Sequence, residues 1–184
     1  VQDHQSLITL AHEDKNVFPN IENFLEGPSP ALTLYREDVT RDSVTRFFVD
    51  HAGSAEIALP ILYYADRLDI SLSLVFSLAW MESRFTVTAV NHNGDSVDRG
   101  LFQLNSKTFR TLSEEDFFDP ETNTYHGLQY LRFCLRTGQT DNEALAIYNA
   151  GMTRVLAGRT PASTLRYVDI ISEYRRQLEQ EFAT

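Results

Sequence analysis

The side chain best placed for chemistry in this sequence is Glu82, which follows an apolar run from Leu72 to Trp80. Such a run predicts a helix at the centre of the fold, with Glu82 near its C-terminal end. Loss of water around the carboxyl group and the negative end of the helix dipole both disfavour the ionised form. The pKa of Glu82 is therefore expected to be raised, as a general acid that works near neutral pH requires.

Three later segments carry candidate substrate-binding side chains. They are Gly100-Leu101-Phe102-Gln103, Tyr148-Asn149-Ala150-Gly151 and Tyr167-Val168. The amide of Gln103 donates and accepts hydrogen bonds, as contacts with sugar hydroxyl or N-acetyl groups require, and Gly100 allows a close ligand approach. Taken singly, the second segment is typical of a helix end with a glycine cap, and the third of helix packing.

Together with Glu82-Ser83, these segments resemble in order and spacing the catalytic domain of the soluble (SLT) type of lytic transglycosylase. The resemblance covers roughly Ser54 to the C-terminus. It implies a mainly α, lysozyme-like fold of the transglycosylase and goose-type lysozyme kind, and an enzyme that cleaves peptidoglycan. It also implies Glu82 as the catalytic residue and a set of substrate contacts: Ser83, Asn91, Gly100, Phe102, Gln103, Tyr148, Asn149 and Tyr167.

The resemblance further implies a mechanism with one carboxyl group. The glutamate protonates the β-1,4 oxygen between MurNAc and GlcNAc, then removes a proton from the C6 hydroxyl, and the product is a 1,6-anhydromuramyl sugar. Ordinary glycosidases use two carboxyl groups about 5 Å or about 6.5 to 9.5 Å apart. Asp95 and Asp98 are the candidates for a second carboxylate, although Asp in a turn-rich loop more often forms a turn or a cap. Without one, the substrate's N-acetyl group could stabilise the charge at C1.

Some positions depart from the family pattern. Asn91 stands where many members have serine, Phe102 replaces a methionine, and Ser163-Thr164 replaces a Glu-Thr pair. Phe102 could be a sugar platform, but an isolated aromatic is more often part of the core. Two alternatives stay open: a lysozyme-type muramidase or chitinase that hydrolyses the same class of bond, and a non-catalytic glycan-binding module.

Composition narrows the range of partners. The 184 residues include 16 Lys+Arg against 26 Asp+Glu, which gives a net charge of -10 and argues against nucleic acid. The apolar stretches are shorter than the roughly 20 residues of a membrane span. We expect a monomer that binds peptidoglycan glycan strands in the periplasm or cell envelope, with Val1 following either a removed signal peptide or a chosen boundary.

Cysteine and histidine give no sign of a cofactor. Cys134 is the single cysteine, and the apolar residues around it recur at helical spacing, so a buried free thiol is expected. The histidines show no ligand spacing beside suitable carboxylates or cysteines, so no metal is expected. They are His4, His12, His51, His92 and His126.

Local signals predict a succession of helices. Their expected starts lie at Thr40, Ser54, Ser71, Ser106, Asp119-Pro120, Asp141 and about Ala162. Glycines are expected to end two of them, at Gly138 and Gly151. Between Asn91 and Asp98 the residues favour turns, so this stretch is predicted to be a loop or a small hairpin.

The chain is predicted to have one main domain, the catalytic domain of residues 41–184, preceded by an extension of residues 1–40. The extension contains prolines and an apolar group that a solvated tail would not carry. That group is Val17, Phe18, Ile21, Phe24 and Leu25. We therefore expect the extension to pack on the main domain.

Overall fold

The computed structural model describes residues 29–184, and these residues form a mostly helical domain with one small antiparallel sheet. The predicted fold class is thereby confirmed. The helices of the described residues are α1 (Pro30–Arg36), α2 (Asp38–Ala52), α3 (Ala55–Leu68), α4 (Leu72–Ser83), α5 (Glu114–Phe118), α6 (Pro120–Thr137), α7 (Asp141–Ala150), α8 (Met152–Leu156) and α9 (Ala162–Phe182). The strands are β1 (Val90–Asn93), β2 (Ser96–Arg99) and β3 (Leu104–Asn105).

Helix α4 is the centre of the core, as its sequence predicts. Every side chain from Leu72 to Ala79 is buried, which a helix that is apolar on all sides requires. The long helix α9 and helix α3 pack against it, and α3 also packs against α6. Cys134 of α6 is fully buried, in agreement with the expectation of a structural thiol.

Several helices begin with the polar side chains that the sequence indicates. Ser54 Oγ accepts a hydrogen bond from the backbone N–H of Glu56, and Asp119 Oδ2 accepts one from that of Thr122. Thr140, one residue before the predicted start at Asp141, caps α7 in the same way. These contacts satisfy backbone donors that have no partner inside the helix.

Two predicted helix starts are wrong. Helix α2 begins at Asp38, before Thr40, and Thr40 lies within its first turn. Ser106 does not open a helix, because its backbone N–H donates to Val97 O at 2.9 Å and its Oγ accepts from Val97 N at 3.0 Å. The next helix starts only at Glu114, where Ser113 and Asp116 form a capping box.

The turn-rich stretch forms the hairpin that was one of its two predicted states. Strands β1 and β2 pair antiparallel from Val90 opposite Arg99 to Asn93 opposite Ser96. Gly94, with φ of +61°, lies in the tight turn between them. The short strand β3 pairs antiparallel with β2 and adds a third strand to the sheet. The sequence did not predict β3, because two residues are too few to show an alternating pattern.

The N-terminal extension is described only from Ser29 onward. Ala31 and Leu32 of α1 are buried, and α1 packs against α2. The apolar group between Val17 and Leu25 lies outside the described residues, so the docking of the extension stays a prediction. Within residues 29–184, no helix has both the length and the apolar character needed to cross a bilayer.

Candidate functional site

Glu82 lies in a cleft of about 320 Å³ between the small sheet and helices α6 and α7. The cleft is lined by Glu82, Asn93, Asp98, Gln103, Leu104, Asn105, Thr108, Phe109, Tyr130, Tyr148, Asn149, Ala150 and Gly151. Most of these side chains carry hydrogen-bonding groups. Two acids, Glu82 and Asp98, lie among amides, hydroxyl groups and aromatic rings, and no basic side chain lines the cleft within the described residues. This lining suits a hydroxyl-rich ligand without negative charge.

The C-terminal end of α4 is held firmly, and this fixes the position of Glu82. The backbone N–H of Arg84 donates to Trp80 O at 2.9 Å, and Arg84 has a φ of +54° that ends the helix. The Arg84 guanidinium lies 3.2 Å from the centre of the Trp80 ring, whose other neighbour is Tyr174 at 3.8 Å. Trp80 and Arg84 stand two positions before and two positions after Glu82, so this stack anchors the helix end on both sides of the acid.

The pKa of Glu82 is raised to about 7, mainly by burial and to a smaller extent by the negative charge of Asp98. Glu82 keeps part of its surface exposed to the open side of the cleft, but protein atoms are dense around the carboxyl group. The hydroxyl of Tyr167 donates a hydrogen bond to Glu82 Oε1, which acts in the opposite direction on the pKa. The balance leaves a carboxyl group that exchanges its proton near neutral pH.

The tyrosine that hydrogen-bonds to Glu82 is Tyr167, whereas Tyr148 lines the same cleft and hydrogen-bonds elsewhere. Tyr167 comes from the buried face of α9, whereas the hydroxyl of Tyr148 donates to the backbone carbonyl of Phe102 at 2.9 Å. Burial, together with the charge of Glu82, raises the pKa of both tyrosines well above the usual value. Both hydroxyl groups therefore remain protonated donors at neutral pH.

The loop that carries Gln103 is fixed by one buried amide, Asn123 of α6. Asn123 Nδ2 donates to Phe117 O at 2.8 Å and to Arg99 O at 3.1 Å, while its Oδ1 accepts from the backbone N–H of Phe102 at 2.8 Å. Sequence reasoning missed Asn123. The available signal was a polar residue on the apolar face of α6, four residues before Gly127.

Gly100 serves this loop through its backbone. It has a φ of +78°, and a Cβ at this position would lie 2.1 Å from Phe117 O and 2.2 Å from Asn123 Nδ2. Only glycine fits such a close approach. Gly100 faces the protein here and does not line the cleft.

Phe102 and Gln103 point to different environments. The Phe102 ring is fully buried and packs on Gly127, so it occupies the core position instead of forming a sugar platform. Gln103 lines the cleft, and its Nε2 donates to Gly100 O at 2.9 Å and to Ala89 O at 3.2 Å. The amide is thereby held in one orientation.

The other candidate contacts differ in their access to the cleft. Asn149 lines it, and its Oδ1 accepts a hydrogen bond of 2.8 Å from Thr164 Oγ1. Ser83 is buried, and its hydroxyl donates to Ala79 O at 3.2 Å. Asn91 is exposed on β1 and does not line the cleft itself, but its Nδ2 donates at 3.3 Å to Oδ1 of Asn93, which does.

Of the two candidate second carboxylates, Asp98 lines the cleft. Its Oδ1 accepts from Asn105 Nδ2 at 2.6 Å, and its Oδ2 accepts from Asn93 Nδ2. Asp95 lies outside the cleft lining and forms an ion pair with Lys107. Across residues 29–184, no group of three or more His, Cys, Asp or Glu side chains is arranged to hold a metal ion.

An aromatic wall at one side of the cleft was not anticipated from the sequence. Phe109 and Tyr130 line the cleft with ring centres 6.3 Å apart, and Tyr130 lies 5.1 Å from Tyr148. Aromatic rings of this kind offer apolar faces to the C–H groups of a sugar. The helical spacing of Tyr130 on α6 was the only local signal of its position.

Comparison with protein-family models matched residues 60–165, more than half of the chain, to the transglycosylase SLT domain. Comparison with curated proteins gave no match, and neither did comparison with solved structures. The matched residues contain Glu82, the whole sheet and all of α6 and α7, and so they contain every element of the cleft. With this lysozyme-like fold and this match, the chain belongs to the transglycosylase SLT family.

Proposed function

We propose that this protein is a lytic transglycosylase that cleaves the β-1,4 bond between MurNAc and GlcNAc in peptidoglycan, with Glu82 as the only acid and base. The observation that carries the proposal is the raised pKa of Glu82, about 7, in a cleft whose other lining side chains, apart from Asp98, are uncharged. A group with this pKa is protonated often enough to act as an acid and ionised often enough to act as a base.

In the first step Glu82 donates its proton to the glycosidic oxygen while the bond from that oxygen to C1 breaks. The N-acetyl oxygen of the same sugar attacks C1 and carries the developing positive charge, so the enzyme needs no second carboxylate. Tyr167 donates to Glu82 Oε1 and so orients the carboxyl group and stabilises its ionised form after proton transfer.

In the second step the Glu82 carboxylate accepts the proton of the C6 hydroxyl, whose oxygen then bonds to C1 and displaces the N-acetyl oxygen. The product is a 1,6-anhydromuramyl sugar, and Glu82 is again protonated.

Both hydrogen bonds from Gln103 Nε2 go to backbone carbonyls, so the amide oxygen is the group left for substrate. We propose Gln103, Asn149 and Tyr148 as the contacts that hold the sugar in this cleft.

A lysozyme-type hydrolase is the second candidate, and the position of Asp98 in the cleft is the observation that favours it. The arrangement supports it less, because both oxygens of Asp98 already accept hydrogen bonds from the amides of Asn93 and Asn105. A carboxyl group held in this way is less available to attack C1 or to activate water.

Mass spectrometry of digested peptidoglycan sacculi distinguishes the two candidates. Anhydromuramyl ends are expected, and products with only reducing-end muramic acid would establish a hydrolase. Chitin oligomers should be included as a substrate that lacks the lactyl group. Binding to sacculi without loss of turbidity or release of fragments would instead identify a glycan-binding module.

The Glu82→Gln variant should lose at least about 100-fold in turnover, because a neutral amide neither donates nor accepts the reacting proton. The matched control is Glu114→Gln, since Glu114 is an exposed carboxyl at the start of α5. Near-normal activity of Glu82→Gln would show that the acid is misassigned.

Because the proposed substrate is peptidoglycan, we also propose that the protein acts in the periplasm or cell envelope.

A further inference from the structure

A second, larger cavity lies away from the cleft and shares no lining residue with it. It measures about 640 Å³ and is bounded by α1, α2 and the C-terminal end of α9. Its apolar surface comes mainly from Ala31, Leu34, Val44, Phe47, Leu178 and Phe182. We call this cavity the terminal groove.

The floor of the terminal groove is a rigid aromatic cluster. The Phe47 ring lies 5.1 Å from Phe48 and 5.1 Å from Phe182, with ring planes near perpendicular in both pairs. Phe48 is fully buried, whereas Phe47 and Phe182 are half-buried and face the groove. A cavity of this volume, lined mainly by apolar and aromatic side chains, has the character of protein ligand sites.

The start of the described chain lies on the groove, since Ser29, Pro30 and Ala31 all line it. The hydroxyl oxygen of Ser29 is buried and has no hydrogen-bond partner among residues 29–184. A buried hydroxyl without a partner is unfavourable, and a peptide backbone in the groove would offer one. The groove therefore has both the apolar surface and the polar rim that bind an apolar peptide.

The preceding residues of the same chain provide such a peptide within reach. The apolar residues between Val17 and Leu25 recur at spacings of three and four, the pattern of a segment that lays one face into a groove. Leu25 is four residues before Ser29 and can lie up to about 14 Å from it, and Phe18 is eleven residues before Ser29 and can lie up to about 40 Å from it.

We infer that residues 17–25 of this chain dock in the terminal groove of the same molecule. A tethered segment has an effective concentration on the order of millimolar, which favours it over a second copy or a separate protein at ordinary concentrations. Docking covers the aromatic floor and places the backbone of the segment beside Ser29. The inference does not depend on the enzymatic activity proposed above.

Photo-cross-linking of the full chain tests this placement. A benzophenone amino acid replaces Phe18 or Phe24, and a third protein carries it at Leu7, outside the docking segment. After irradiation of a dilute sample, cross-links from positions 18 and 24 should map to groove residues of the same molecule, such as Leu34 and Phe47, more than those from position 7. Cross-links spread over other faces, or formed mainly between molecules, would overturn the inference.

A second experiment blocks the groove without changing the segment. Ser43 is exposed on α2 at the rim of the groove, so Ser43→Trp should fill it without disturbing the core. Lys15 is the only Lys or Arg in residues 1–28, and trypsin cleavage there reports release of the segment. Ser43→Trp should speed this cleavage several-fold, whereas Ser163→Trp, an exposed serine of α9 outside the groove, should not. Equal rates in both variants would contradict docking in the groove.

Discussion

At the scale of single residues, the site depends on the environment of one carboxyl group. Burial and the charge of Asp98 raise the pKa of Glu82, and the hydrogen bond from Tyr167 opposes them. The protein thus holds an acid that is poorly solvated yet accessible from the cleft. Such a group lowers stability when it is ionised, which is a common property of catalytic sites.

Removal of this carboxyl group should stabilise the protein at alkaline pH. The pKa of Glu82 rises from 4.5 to about 7 on folding, so the folded state retains the proton more strongly. The contribution to stability is complete below pH 4.5 and is lost as the pH rises through about 7. The free energy of unfolding of Glu82→Gln should therefore exceed that of the wild type by about 1 to 2 kcal/mol at pH 8, after allowance for the open side of the cleft. At pH 4 the two proteins should have similar free energies of unfolding. Urea denaturation at the two pH values measures the difference, and equal stability at pH 8 would contradict the raised pKa.

Loss of the Tyr167 hydroxyl should move the pH profile of the reaction. The hydroxyl donates to Glu82 and lowers its pKa, so Tyr167→Phe should raise the pKa of Glu82 above about 7. The alkaline limb of the rate profile should then shift to higher pH, while the maximal rate falls about tenfold or more because the carboxylate loses its donor. Tyr148→Phe is the comparison for the pH profile: it removes a proposed sugar contact and so lowers the rate, but the Tyr148 hydroxyl donates to Phe102 O, so the alkaline limb should not move. An unchanged profile in Tyr167→Phe would mean that the hydrogen bond does not act on the catalytic proton.

At the scale of elements, α6 supports the cleft from behind. Its Asn123 binds the backbone at Arg99, Phe102 and Phe117, and so joins the sheet, the Gln103 loop and α5. Its Gly127 leaves room for the Phe102 ring, because a Cβ there would lie 2.5 Å from that side chain. Helix α6 therefore sets the position of Gln103, and it also contributes Tyr130 to the cleft lining.

Substitution of Asn123 by alanine should reduce both stability and activity. It removes three hydrogen bonds, those to Phe117 O and from Phe102 N–H being buried and that to Arg99 O partly buried, for a loss of about 2 to 4 kcal/mol. The free energy of unfolding in urea measures this loss. Gln180→Ala, an exposed amide on α9, is the control and should change it by less than about 0.5 kcal/mol. A similar change in both variants would show that Asn123 does not organise the loop.

At the scale of the whole molecule, the cleft and the terminal groove lie on different parts of the domain and differ in the chemistry of their linings. The cleft is lined mostly by polar side chains around Glu82, and the terminal groove by apolar ones next to Ser29. A domain that exposed the whole groove to water would be prone to association.

Deletion of residues 1–28 should therefore destabilise the domain. Each apolar side chain that docks fully contributes about 1.5 to 3 kcal/mol, so partial docking of the five in residues 17–25 affects folding measurably. A fall in melting temperature of about 5 °C or more is expected from scanning calorimetry, with increased aggregation. A truncated protein with the melting temperature and activity of the full chain would identify the segment as a tether.

Much of this protein was determined by sequence alone, because the signals were local. The caps at Ser54 and Asp119, the apolar run of α4 and the turn at Gly94 each depend on residues within one or two turns of chain. The raised pKa of Glu82 followed from the same apolar run, since burial of that helix withdraws water from its end.

Tertiary structure decided which distant residues meet. Tyr167 reaches Glu82 from 85 positions along the chain, and Asn123 holds a loop more than twenty residues away. Ser106 has the residue type of a helix cap, but its backbone N–H and its hydroxyl oxygen hydrogen-bond to the backbone of Val97 in β2. These outcomes depend on how α4, α6 and α9 pack, and the packing geometry is set by many side chains together. No local window of sequence contains it.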